Sequence, residues 1–303
     1  MRMSTSPTSK PQASQHMLWF FVIPALAFIA FVSFKLFNSS TQHQPQTSFE
    51  QKLGNIENAK SPGDRWQAAY ALAQDLQQKI RSGELEKMSS EQKASVYARL
   101  DALLEKHTTD SRLKKYLLLT LGQMGDARAT VSLKKGIKDS DPEVQFFSAW
   151  GFLEILQIMQ KNGQAIPEAD LALVTSWLKS EDPGFRKIAS TYLAQQSAPK
   201  YRDEVAKLLR DQDAEVRWNA AIALASVKDP RAKATMLEMF DLTKIRELEM
   251  RSTKDLKQLV EISLQAAKKI WDKDFEAARA QLELRADPKT PEGGAIHAAL
   301  KTL

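Results

Sequence analysis

One segment returns along this chain with its chemistry intact. Asp213-Ala-Glu-Val-Arg-Trp-Asn-Ala-Ala-Ile-Ala-Leu224 is echoed by Asp182-Pro-Gly-Phe-Arg-Lys-Ile-Ala-Ser-Thr-Tyr-Leu193 and by Asp141-Pro-Glu-Val-Gln-Phe-Phe-Ser-Ala-Trp-Gly-Phe152. A fainter copy runs from Asp110 to Leu121, and a shortened first one is Asp64-Arg-Trp-Gln-Ala-Ala-Tyr-Ala-Leu72. Aligning Arg65, Lys114, Gln145, Arg186 and Arg217 spaces the copies by 49, 31, 41 and 31 residues, a unit near 31 with insertions. Repeats of this length stack on their neighbours and make extended surfaces without a closed pocket, so binding is what such a chain does well.

The local physics of each copy is that of a helix. Apolar residues recur at three and four positions, and no segment sustains the alternation of a strand, so the fold class is all-α. Asp141, Asp182 and Asp213 stand where an N-cap carboxylate satisfies free amides and the positive helix end, and Pro142 and Pro183 suit the first turn. The paired small residues Ala68-Ala69 and Ala220-Ala221 allow close helix approach. Second helices are signalled by Gly125-Asp126-Ala127-Arg128-Ala129 and Lys228-Asp229-Pro230-Arg231-Ala232.

At these residues the chain resembles the HEAT-like repeats, in particular the short bacterial variety of the phycobilisome lyases, over roughly residues 64 to 245. The resemblance implies an α-solenoid of about five helical pairs, with a long charged C-terminal helix from about Glu247 to Arg285 capping the stack. It also implies a ladder between repeats formed by the Asp and the Arg of each copy, here Asp141, Asp182 with Arg186, and Asp213 with Arg217. On function it is nearly silent, because the family includes lyases, hydroxylases and scaffolds.

Ahead of the repeats, Met17 to Phe34 is 18 residues without a charge, about 27 Å as a helix, close to the hydrocarbon thickness of a bilayer. Pro24 is tolerable in a membrane helix, and Trp19 sits where an interfacial aromatic belongs. The run outlasts a signal-peptide core and lacks a cleavage context, so the expectation is an uncleaved single-pass anchor over residues 17–37. It follows a polar leader (1–16) and precedes a flexible linker (38–63), the solenoid (64–285) and a flexible tail (286–303). The short leader before a large C-terminal domain favours an N-in orientation, in a bacterium with the solenoid periplasmic.

Composition excludes whole classes of chemistry. There is no cysteine, hence no disulfide framework, thiolate metal site or Cys nucleophile. The formal charge is +6, but Arg2, Lys10 and Lys35 precede residue 38 without an acidic residue among them. The remaining chain is therefore nearly balanced, with 40 basic against 37 acidic side chains, which speaks against a dedicated nucleic-acid binder. His16, His43, His107 and His297 have no partner at metal-ligand spacing, and no nucleophile elbow or phosphate loop occurs, so no catalytic residue, metal, cofactor or small-molecule substrate is assigned. The basic clusters around Lys114, Lys134 and Lys200 alternate with acidic residues and read as a mixed solvated surface.

One departure from a plain scaffold stands out. The variable positions after each repeat's Arg fall on the inward-curving face, and there Trp66, Tyr70, Tyr116, Phe146, Trp150, Trp218 and Ile222 make an aromatic and apolar stripe. Rings on a concave surface are the usual anchors of a peptide or protein partner. The bland reading is that the same stripe is core. The expected function is a membrane-anchored repeat scaffold holding a protein or peptide on its concave face, with a HEAT-like lyase or enzyme accessory, acting on a modified protein or chromophore, as the alternative.

Overall fold

The structure is a computed structural model that describes residues 49–196, 198–247 and 252–301. The apolar run over 17–37 lies outside the described residues, and among those described no helix is long and apolar enough to cross a membrane.

The described chain is helical, with no strand among the described residues. In order the helices are α1 (Phe49–Glu57), α2 (Pro62–Ser82), α3 (Ser90–Lys106), α4 (Ser111–Met124), α5 (Thr130–Gly136), α6 (Pro142–Lys161), α7 (Glu168–Trp177), α8 (Pro183–Ala194), α9 (Pro199–Lys207), α10 (Ala214–Ser226), α11 (Lys233–Glu238), α12 (Leu242–Glu247), α13 (Thr253–Ala267), α14 (Lys273–Arg285) and α15 (Pro291–Leu300).

Two layers result. Helices α2, α4, α6, α8, α10, α13 and α15 pack each on the next, and α3, α5, α7, α9 and α11 lie behind them as their second helices. Every helix of the first layer opens on a short polar cap. Ser61, Asp110, Asp141, Asp182, Asp213, Ser252 and Thr290 each accept a hydrogen bond from a first-turn amide, which saturates a donor that no carbonyl can reach. The core is continuous through the stack and is built from buried Leu117, Leu121, Phe152, Ile155, Tyr192 and Leu224. Helices α4 and α6 approach most closely where Gly122 meets Gly151, since a Cβ on Gly122 would run into the Gly151 backbone.

Three boundaries differ from the sequence expectation. The span 38–63 expected as linker includes α1, whose Phe49, Leu53 and Ile56 form an apolar face buried against α2. The expected long closing helix contains two separate helices among its described residues, α13 and α14, with Ser252 and Asp272 capping their starts. The expected flexible tail contains α15, whose Ile296, Ala299 and Leu300 are buried as it packs on α13. There Gly293 is a packing residue, because a Cβ would strike the Asp287 carbonyl.

Candidate functional site

Two seams run between successive helices of the first layer, and together they define the face that remains. The first seam is ionic. Arg186 donates from Nε and Nη2 to the two carboxyl oxygens of Asp211 at 2.8 and 2.9 Å, and from Nη1 to the Ser180 and Glu181 carbonyls. Lys114 makes the equivalent bond to Asp139 at 2.5 Å. Each acceptor sits two residues before a cap and also receives that cap's amide, Asp139 from Asp141 and Asp211 from Asp213. Between these two interfaces the aligned residues are Gln145 and Ser180. The charge is absent from both sides at once, and Ser180 Oγ still receives the Asp182 amide.

This corrects the expected ladder. Asp182 and Asp213 spend their carboxyl groups on the first turn of their own helices, and the acceptor for Arg186 is Asp211, two positions upstream of a cap; Asp141 caps its own helix and also takes a hydrogen bond from Ser111 of the preceding repeat. Arg217 likewise donates to the Asp211 and Gln212 carbonyls rather than to Asp213.

The second seam faces away from the second layer. The residue after each aligned basic position meets the helix that follows: Arg112 lies 5.9 Å from the Trp66 ring centroid, Lys115 pairs with Glu143, Phe146 covers Gly184, and Lys187 pairs with Glu215. One turn further along, the Tyr70 ring meets Tyr116 edge-on at 5.4 Å, and the Thr191 hydroxyl donates to Asn219 Oδ1 at 2.9 Å.

These contacts divide the seven stripe residues. Trp66, Tyr70, Tyr116 and Phe146 keep part of their surface, and Trp66 stacks on Tyr116 at 6.5 Å. Trp150, Trp218 and Ile222 are core, at 4%, 3% and 9% exposure. In the row that holds Tyr70, Trp150, Thr191 and Ile222, Trp150, Thr191 and Ile222 are buried, while Tyr70 beside the Tyr116 ring stays half-buried. The exposed stripe therefore contracts to the N-terminal half of the layer.

One residue of this face was not singled out in the sequence. Glu154 follows Phe146 and Trp150 down α6, each one turn from the last, and it aligns with Gln74, Gln123, Gln195 and Ser226 of the other repeats. Its side chain is partly exposed, yet enough protein surrounds the carboxyl that desolvation pushes its pKa up to about 7, against a smaller downward pull from a hydrogen bond with the Trp150 side chain. The signal available in sequence was a lone acid in a row of neutral polar residues.

That carboxyl makes stability depend on pH. Unfolded, a glutamate ionises near about 4.3, whereas here the folded chain keeps its proton up to about 7. From about pH 4 to 7 the unfolded state gives up a proton that the folded state retains, so stability falls as pH rises, and above that range the penalty is constant. Glu154→Gln keeps the shape and removes the charge. Denaturant unfolding should show it about 2–3 kcal/mol more stable than the parent at pH 8 and equal to it at pH 4. An equal effect at both would refute the assignment.

The remaining inventory is structural. Lys134, Lys135, Lys200 and Lys207 pair with Asp170, Glu105, Glu168 and Glu204, so the basic clusters are balanced locally. No group of three or more potential metal ligands occurs among the described residues. His107 caps α3, and His297 meets the Ala286 carbonyl at 2.9 Å. A hollow of about 450 Å³ beside Trp271 and Arg279 lies at the far end of the stack from the aromatic cluster.

Residues 171–257 match the family model described as HEAT repeats. No curated protein matches the sequence. Among solved structures, the complex of CpcE and CpcF of phycocyanin lyase from Nostoc sp. PCC7120 is similar over 87% of this chain and 97% of that chain, with 14% identity and a TM-score of 0.43.

Proposed function

We propose that the protein is a repeat scaffold, tethered to the bacterial inner membrane through residues 17–37 with its solenoid on the periplasmic side, that holds a protein or peptide partner on the open face of the α2–α4–α6 layer. The observation that carries this reading is the partly exposed cluster of Trp66, Tyr70, Tyr116 and Phe146, with Arg112 over the Trp66 ring. Aromatic rings with a neighbouring guanidinium are the residue types that anchor protein interfaces, because they bury much area at little entropic cost. A stack of repeats supplies an extended surface on which several such anchors engage one partner.

The test uses the full chain in detergent as bait in an extract of its own organism, beside a variant carrying Trp66→Ala, Tyr116→Ala and Phe146→Ala. A partner held by the parent and released by a variant that still melts cooperatively is the expected result, at a cost above about 1 kcal/mol per anchor. Identical captures from the two would contradict the reading. For the tether, a reporter fused after Leu303 should be external, and a cytosolic signal would reverse the orientation.

A further inference from the structure

Among the described residues, the Glu154 carboxylate on the open face has no counter-ion supplied by the fold. We propose that Glu154 is the polar anchor of this face and receives a basic side chain of the bound partner, a lysine ammonium or an arginine guanidinium. The inference rests on the reading of the face as the partner site and specifies what that site recognises.

The cations on every helix packed against α6 are already engaged. On α4, Arg112 lies over Trp66, Lys114 pairs with Asp139 and Lys115 with Glu143. On α5, Lys134 pairs with Asp170 and Lys135 with Glu105. On α8, Arg186 pairs with Asp211 and Lys187 with Glu215. The flanking positions level with Glu154 are the neutral Gln123 and Gln195, and the Trp150 side chain is the one hydrogen-bonding group that acts on the carboxyl. Nearby polarity is unsatisfied as well. Gln123 Oε1 and, one turn beyond Glu154, Gln157 Nε2 are shut off from solvent without a hydrogen-bond partner.

An uncompensated carboxylate in such surroundings is costly, and the fold holds it protonated near neutral pH instead. A cation delivered by a partner removes that cost, because it supplies the opposite charge that the flanking helices do not. The proton on Glu154 then leaves to solvent as the cation arrives, so binding releases a proton at pH 6 and almost none at pH 8.

The test is to pan a random peptide library on the full chain in detergent micelles at pH 8, with Glu154→Gln and Phe146→Ala variants in parallel. Selected peptides should share a Lys or Arg at one fixed position, bind Glu154→Gln at least tenfold more weakly, and lose about tenfold in affinity for the parent between pH 8 and pH 6. With Glu154→Gln melting no lower than the parent, as expected above, weaker binding reports the carboxylate rather than unfolding. Peptides that need Phe146 yet bind Glu154→Gln as well as the parent would overturn the anchor and leave the face standing. A library in which nothing depends on Phe146 would overturn both.

Discussion

Asp211→Ala should destabilise the solenoid by about 3–5 kcal/mol, because it strands the Arg186 guanidinium in the interface between α8 and α10, where the two side chains are 7% and 8% exposed. Burial alone would raise the Asp211 pKa. Hydrogen bonds from Arg186 and the Asp213 amide, with the attraction of Arg186 and Arg217, outweigh it and hold the carboxyl below the usual range. The pair's contribution is therefore complete above about pH 4, where the unfolded aspartate is ionised, and fades as pH falls through the depressed folded value. The neighbouring interface supplies the control. There Gln145 and Ser180 occupy the aligned positions without charge and the Asp182 cap keeps its amide bond. The double variant Arg186→Gln, Asp211→Ser should recover most of the loss in urea titrations. A double variant as unstable as Asp211→Ala would mean that the charge itself is required.

Trp218→Ala should cost about 3–5 kcal/mol, the loss expected when a fully packed indole is deleted and the cavity only partly collapses. The ring is 3% exposed in α10. Its midpoint in denaturant should drop accordingly, whereas Trp66→Ala, which removes a partly exposed ring at the near end of the stack, should cost far less. Were Trp218→Ala to unfold at the parent midpoint, the ring would have to be a surface anchor after all, and the contraction of the open face to Trp66, Tyr70, Tyr116 and Phe146 would be wrong.

The repeat and its caps were legible because they are local. Asp followed by a helical first turn states its own use, and the recurrence near 31 residues states that the units stack. What was not legible depended on the neighbouring helix. Helical spacing put Tyr70, Trp150 and Ile222 in one row but not on one side, since the same angular stripe serves as seam or as surface according to how far the next helix is rotated. The ladder failed for a related reason. The conspicuous Asp of each copy caps its own helix, and the acceptor for the aligned Lys114 or Arg186, Asp139 or Asp211, lies outside the signature. Glu154 falls just beyond the last signature residue of its repeat, where only the alignment with Gln123 and Gln195 marks it as exceptional. In the C-terminal segment Pro and Gly suggested a frayed end, while Gly293 is required by the close Asp287 carbonyl.

The claim that joins these observations is that one face of one layer meets the partner. Photo-crosslinking in living cells tests it most directly, with benzoylphenylalanine placed in turn at Trp66, Tyr116 and Phe146, and at the exposed residues Val131 and Leu284 away from that face. One and the same covalent adduct is expected from the three face positions and none from the other two. An adduct that forms as readily from Val131 or Leu284, or three face positions that give none, would contradict it.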